Sequence, residues 1–246
     1  MIPFPPALKP DDALFLDLDG TLFDLQPRPE MVLSDGESTA LLAGLERALE
    51  GRVAVLTGRS LTDADRILDG RVPAVSGSHG LERRDASGRV LTAPTHPAVA
   101  EARGAFEAFK QEHPAVVLED KGLGVCLHYR TAPELEADVL ELGRRLEAGL
   151  PLQAQPGSMM FELRTPGGGK GEALRAYLAE APFEGARPVF VGDDLTDEDG
   201  FLAAEAAGGY GVIVGPRRPT VALYGLPDVA AVRFWLGRLA LAEAAA

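Results

Sequence analysis

Apolar and polar positions along this chain switch between two periodicities. Ala13-Leu14-Phe15-Leu16 is a continuous apolar run ending on Asp17, the pattern of a strand buried on both faces of a parallel sheet. A helical pattern over 38–49 follows, then an apolar strand over 53–56, a helix over 60–68 and a short strand over 74–76. This β–α–β–α–β alternation predicts a doubly wound parallel sheet. The middle of the chain changes character. Val99, Ala102, Phe106 and Phe109 mark one face of a helix over 97–112, followed by strands over 116–120 and 125–130. Leu135, Val139, Leu142 and Leu146 then mark a helix over 134–150, followed by strands near 152–155 and 159–164. Helix–strand–strand, twice, predicts an α+β module with a mostly antiparallel sheet. After Gly167-Gly168-Gly169 the first pattern resumes, with helices over 170–180 and 197–207, strands over 188–191 and 210–214, and a last helix from 229. The expected fold class is α/β: a doubly wound, Rossmann-like parallel-sheet core, 1–91 plus 167–246, carrying an inserted α+β cap domain over 92–166.

Composition narrows the partners. The 246 residues carry a formal net charge of −13, which argues against nucleic acid or an anionic membrane surface as partner. An anionic substrate would need a local cation cluster to overcome that field. No apolar run approaches the roughly 20 residues a bilayer needs. The start, with Pro3, Pro5 and Pro6, lacks a basic segment leading into an apolar one. With Cys126 as the single cysteine, no internal disulfide is available, and the expectation is a buried structural thiol in a cytoplasmic protein.

Chemistry concentrates at predicted strand ends. In Asp17-Leu18-Asp19-Gly20-Thr21 two carboxylates stand two residues apart, about 6–7 Å at Cα on extended chain, where open α/β sheets bind ligands. Alone, the segment reads equally as an Asx-rich turn. Asp193 and Asp194 follow the strand Val189-Phe190-Val191, and adjacent carboxylates at an acidic site call for a hard divalent cation. The plainer reading is a helix start, with Thr196 capping the helix that Asp197 and Glu198 open. The spacing fits no calcium-binding EF-hand loop. Thr57-Gly58-Arg59 offers a hydroxyl and backbone N–H groups to a phosphate oxygen, although such a tripeptide by itself is usually a turn. Lys170 opens a helix behind three glycines, but Gly171 stands where a nucleotide-binding P-loop requires Ser or Thr. Taken singly, it reads as a solvated surface lysine.

Taken in order, Asp-x-Asp-Gly-Thr, a Thr after the second strand, a helix-opening Lys and an Asp-Asp after a later strand resemble the four motifs of the haloacid dehalogenase superfamily. The likeness narrows with Gly77-Ser78-His79-Gly80-Leu81-Glu82, Glu119-Asp120-Lys121-Gly122, His128-Tyr129-Arg130, Glu162-Leu163-Arg164 and Gly192-Asp193-Asp194-Leu195-Thr196-Asp197-Glu198-Asp199. These segments, spread over nearly the whole chain, resemble trehalose-6-phosphate phosphatases. Ser158 departs from the pattern, since relatives commonly carry lysine there, which puts one basic contact of the cap in doubt.

The resemblance implies a Mg²⁺-dependent phosphatase acting on trehalose 6-phosphate. Asp17 would be the nucleophile, Asp19 the acid and base, and Thr57 and Lys170 the phosphoryl ligands. Mg²⁺ would be held by Asp17, the Asp19 carbonyl and Asp193, with Asp194 and Asp197 near. Gly58, Arg59, His79, Glu119, Lys121, His128, Arg130, Glu162 and Arg164 would bind substrate. Strand alternation independently pairs Glu119 with Lys121, His128 with Arg130 and Glu162 with Arg164 on shared faces, a surface suited to sugar hydroxyls or simply to water. The partner expected is a phosphorylated disaccharide, with a trehalose-phosphate synthase as pathway neighbour. Sucrose phosphate or mannosylglycerate phosphate as substrate, phosphomutase activity, and a non-catalytic sensor remain open from sequence.

Overall fold

A computed structural model describes residues 2–157, 159–216 and 218–244. Ser158, the departure noted above, lies outside the described residues. The chain forms two compact units, Met1–Leu91 with Gly168–Ala246, and Thr92–Gly167.

The first unit contains, in chain order, β1 (Asp12–Leu16), α1 (Gly36–Ala48), β2 (Val53–Leu56), α2 (Leu61–Leu68), β3 (Ala74–Gly77), β4 (Glu82–Arg84) and β5 (Val90–Thr92). The second unit is built from α3 (Val99–Glu112), β6 (Val117–Asp120), β7 (Gly124–His128), α4 (Glu136–Gly149), β8 (Gln153–Gly157) and β9 (Met160–Arg164). Return to the first unit brings α5 (Lys170–Leu178), β10 (Arg187–Gly192), α6 (Glu198–Ala206), β11 (Tyr210–Val214), β12 (Tyr224–Leu226) and α7 (Val229–Ala244).

The eight-stranded sheet runs β12-β11-β10-β1-β2-β3-β4-β5. From β12 to β3 every pairing is parallel, and β4 joins β3 antiparallel. The α/β class and the doubly wound order are as the alternation predicts. Strand periodicity splits the core in two. Leu14, Leu16, Val53, Val55, Val189 and Val191 pack with residues of α1, α2 and α7 on one face. Ala13, Phe15, Ala54, Leu56 and Phe190 pack with Leu174, Tyr177 and Phe201 of α5 and α6 on the other. Each fully buried Leu or Phe contributes about 1.5–3 kcal/mol, so the central strands are fixed in register on both faces. The chain leaves β1 toward β2 and leaves β10 toward β11, in opposite directions. Adjacent strands with diverging connections open a crevice at their carboxyl ends, and Asp17 and Asp193 follow those two ends.

The second unit has a four-stranded sheet in the order β6-β7-β9-β8, antiparallel throughout. Val125, Leu127, Phe161 and Leu163 turn to one face and pack with Val99, Ala102 and Phe106 of α3 and Val139 and Leu142 of α4. Glu119, Cys126, His128, Met160 and Glu162 hold the alternate positions, hence the opposite face.

Three strands escape the apolar pattern: β4 is Glu-Arg-Arg, β5 is exposed, and β12 holds a central glycine. The strand expected to run to Arg130 ends at His128, which leaves Arg130 in the following turn.

Candidate active site

The site is assembled from loops that leave parallel strands. Asp17 follows β1, and its N–H donates to the Val191 carbonyl (3.0 Å), which ties its backbone to β10. Lys170 is the first residue of α5 and is only 4% exposed, so the sequence reading of a solvated lysine is corrected. Its Nζ donates to Asp17 Oδ1 (2.7 Å) and to Asp197 Oδ1 (2.6 Å). Three-glycine flexibility makes this possible: Gly167, Gly168 and Gly169 all have positive φ, and they deliver the helix start into the sheet's crevice.

Asp197, wholly buried, organises the turn after β10. While its Oδ1 accepts a hydrogen bond from the Lys170 ammonium, its Oδ2 accepts the N–H groups of Asp193 and Asp194 (both 2.9 Å). Thr196 does not cap α6, whose N-cap position is Asp197; it lies inside the short 3-10 turn 195–197, which Asp194 caps in a capping box with Asp197. The Asp-x-x-Asp spacing was the available signal, because a capping box wants its second acceptor three residues on. Arg218, not singled out by the sequence reading, donates to the Asp194 carbonyl (2.6 Å) and pairs with Glu198, closing a second clasp on the same turn.

Three carboxylates therefore converge: one oxygen each of Asp17, Asp193 and Asp197 lie within 4.8 Å of one another. Burial first, then repulsion from Asp197 and Asp193, raises the Asp17 pKa well above the usual carboxylate range, against the pull of Lys170. Asp193 is pushed up to about 7 by burial, with Asp197 adding and Lys170 opposing. Lys170 itself stays above the lysine range, because the two carboxylates outweigh the effect of its burial. The buried Oδ1 of Asp193 has no hydrogen-bond partner among the described residues. An unsatisfied buried acceptor costs about 1–3 kcal/mol, and a hard cation between Asp17 and Asp193 would supply what it lacks. All-oxygen donors fit Mg²⁺, whereas Asp197, with both oxygens committed, is left as scaffold.

Gly20 lies against this cluster at φ +82°, and a Cβ built there would overlap the Asp193 carboxylate. Gly20→Ala is expected to cost about 1–3 kcal/mol from overpacking, with further strain from the positive φ. Thermal unfolding of the purified variant against wild type checks this.

Asp19 is drawn aside. Arg59 Nε donates to its Oδ2 (2.6 Å) and Nη2 to its Oδ1 (2.8 Å), a bidentate fork. Arg59 also pairs with Asp63 in the first turn of α2, a partner the sequence reading missed although its i,i+4 spacing signals it. Thr57 is buried, and its Oγ1 accepts from the Arg59 N–H (3.2 Å). His79 has φ 53° and ψ 39°, and its imidazole fills the space a Gly58 side chain would take. Its N–H donates to the Thr57 carbonyl (3.1 Å), so His79 buttresses the loop after β2.

In the second unit four of the remaining predicted residues pair with one another, and a fifth, Arg164, turns to backbone carbonyls. Lys121 Nζ contacts Glu162 Oε2 (2.7 Å), with both side chains buried. His128 Nε2 and Glu119 Oε2 share a hydrogen bond (2.7 Å). Arg164 donates to the carbonyls of Thr165 and Gly167.

Residues 15–223 match the family model described as trehalose-phosphatase. The trehalose-6-phosphate phosphatase of Escherichia coli (strain K12) is 36% identical over 228 residues, covering 91% of this chain and 86% of that protein. The probable trehalose-phosphate phosphatase of Sinorhizobium fredii is 38% identical over 232 residues, covering 93% and 88%. In fold, the chain resembles the C-terminal domain of C. albicans trehalose-6-phosphate phosphatase, with a TM-score of 0.82 at 22% identity over 98% of this chain and 99% of that one.

Proposed function

The chain belongs to the trehalose-phosphatase family and is a phosphoric monoester hydrolase; from that premise we propose that it hydrolyses trehalose 6-phosphate by transient transfer of the phosphoryl group to Asp17. The observation that carries the reading is the buried Lys170 ammonium bridging Asp17 and Asp197 beside the unsatisfied Asp193 oxygen. A lysine held there by two carboxylates is a fixed positive charge beside the attacking group.

Phosphate monoesters hydrolyse so slowly that enzymes accelerate them by up to about 10²¹, mostly through positioning and charge stabilisation. Asp17, Asp193 and the Asp19 carbonyl would hold Mg²⁺, which would supply positive charge to offset the negative charge of the phosphoryl oxygens. Asp17 Oδ2, the oxygen not bonded to Lys170, attacks phosphorus as the ester bond breaks. Thr57 and Lys170 hold phosphoryl oxygens. Asp19 gives a proton to the departing sugar oxygen and afterwards takes one from the water that cleaves the aspartyl-phosphate. Both Asp19 oxygens are occupied by Arg59 in this structure, so the acid step requires that pair to part when substrate arrives. Arg59 is then a holder of Asp19 more than a ligand of the sugar. Glu119, Lys121, His128, Arg130, Glu162 and Arg164 are proposed to meet the sugar hydroxyls. Localisation is proposed as cytoplasmic; among the described residues no helix is long and apolar enough to cross a membrane.

The cation requirement has a signature in stability. Between the ordinary aspartate range and about 7, the folded protein holds a proton on Asp193 that the unfolded chain has released. Stability from this group therefore falls as pH rises through that window. In chelator, wild type is expected to lose more melting temperature between pH 5 and pH 8 than Asp193→Asn does. Saturating Mg²⁺ is expected to shrink the difference, because a cation favours the carboxylate.

The reading is tested by phosphate release with Mg²⁺ from a panel of trehalose 6-phosphate, sucrose 6-phosphate, mannosylglycerate phosphate and glucose 6-phosphate. Preference for trehalose 6-phosphate is the expected outcome. Preference for another member would keep the chemistry and overturn the assignment of the sugar, and binding without release would point to a sensor.

A further inference from the structure

The second unit's polar sheet face holds a donor set of a different chemical kind. Cys126 and His128 stand two residues apart on β7, so their side chains leave the same face. Glu119 is registered opposite Cys126 on β6, and Met160 opposite His128 on β9. One donor atom each of Glu119, Cys126 and His128 lie within 4.8 Å of one another. Cys126 Sγ also lies 3.4 Å from the Met160 thioether sulfur. From this geometry we infer that Glu119, Cys126 and His128 form a binding site for a thiophilic divalent cation of the Zn²⁺ class, distinct in donor chemistry from the carboxylate cluster of the first unit.

Four arguments support the assignment. The donors are carboxylate oxygen, thiolate sulfur and imidazole nitrogen, a set that selects zinc-like ions and disfavours Mg²⁺. Bond lengths of about 2.0–2.3 Å around a tetrahedral ion put its ligand atoms roughly 3.3–3.8 Å apart; the donors lie within 4.8 Å of one another and the His128–Glu119 pair at 2.7 Å, so a cation would draw the set in by at most about 1 Å and take the place of that hydrogen bond. Access and shelter are both provided. His128 and Glu119 side chains are 17% and 28% exposed, which opens an entry path, while Cys126 is fully buried beneath them. Charge balances as well. With Cys126 as thiolate, the local carboxylates of Glu119 and Glu162 and the ammonium of Lys121 leave two negative charges for a dication to neutralise.

The binding step exchanges a proton for a metal–sulfur bond. Without a cation, burial holds the Cys126 thiol well above its ordinary pKa, and it donates toward Met160. On binding, the thiol proton passes to solvent and the sulfur bonds the metal, so binding tightens as pH rises. A cation held there occupies Glu119 and His128, two of the groups proposed above to meet the sugar, so cation and sugar compete for them, while the metal–thiolate signal tested below does not rest on the phosphatase reading.

Cysteine occurs once in this chain, so a thiolate–metal signal has one possible source within a monomer. The full-length protein in excess Mg²⁺ is titrated with Co²⁺, and thiolate-to-cobalt charge-transfer absorption is recorded, then bleached with Zn²⁺. The expected result is one Co²⁺ per chain with that absorption, lost in Cys126→Ala. Affinity is expected to fall at least about tenfold in His128→Ala and in Glu119→Gln, no less than loss of an outer-shell partner costs. Glu119→Gln conserves size and keeps a hydrogen-bonding oxygen for His128, so it reports on the site even if Cys126→Ala folds poorly. No thiolate absorption in cobalt excess, or absorption unchanged in both His128→Ala and Glu119→Gln, would overturn the assignment.

Discussion

Asp17→Asn is expected to lower phosphate release by about 10⁴-fold or more, the scale seen when a covalent nucleophile is removed, while leaving the protein folded. The substitution keeps the shape of the side chain and the Lys170 contact but removes the oxygen that attacks. Stability should not suffer in metal-free buffer. Asp17 is a buried carboxylate whose ionised form is disfavoured by burial and by Asp197 and Asp193, so removing that charge is expected to cost the fold little. Paired measurements on one preparation, turnover and thermal unfolding in chelator, separate the two roles. A variant that loses turnover and also melts far below wild type would mean that Asp17 is mainly structural.

Lys170→Met is expected to damage both properties at once. The ammonium is the shared partner of Asp17 and Asp197, and a methionine of similar length leaves two carboxylates facing each other out of water. Breaking a buried ion pair by removing one partner costs about 3–5 kcal/mol, which in a chain of this size lowers the melting temperature by roughly 10 °C. The loss should be larger at pH 8 than at pH 5, since the unpaired carboxylates can take up protons at the lower pH. Circular dichroism melts at the two pH values check this. Turnover should fall with stability at 37 °C and stay low at 15 °C, where the variant is folded, because the charge beside the phosphoryl group is gone.

How much of this was legible before the structure depends on the residue. Asp17 and Asp193 were, because each terminates a strand whose apolar residues are buried on both faces, and such strands announce themselves as unbroken apolar runs. The helix–strand–strand repeat of the second unit was legible for the complementary reason: strict alternation in Val125-Cys126-Leu127-His128 and Phe161-Glu162-Leu163-Arg164 marks one buried and one polar face. What pattern alone does not carry is the partner of a charge. Lys170 looks like any helix-opening lysine until two carboxylates distant in sequence are placed on it. For Arg59 the spacing does show Asp63, but nothing in the pattern shows the bidentate partner Asp19, 40 residues away. The turn after β10 shows a subtler loss. Thr196 and Asp194 are both good caps by residue type, but it is Asp194 whose side chain accepts the Leu195 N–H, with Thr196 inside the turn. β4 stayed hidden because its residues are stabilised by ion pairs, Arg83 with Glu180 and Arg84 with Asp65, and not by apolar burial.

The measurement that bears most directly on the central claim is acid quenching of the enzyme during turnover of trehalose 6-phosphate carrying radiolabelled phosphorus. The account predicts label on the protein that is stable in acid, released by hydroxylamine as an acyl phosphate should be, mapped to the peptide containing Asp17, and absent from Asp17→Asn. Full turnover without label on the protein, or label on a peptide lacking Asp17, would contradict it.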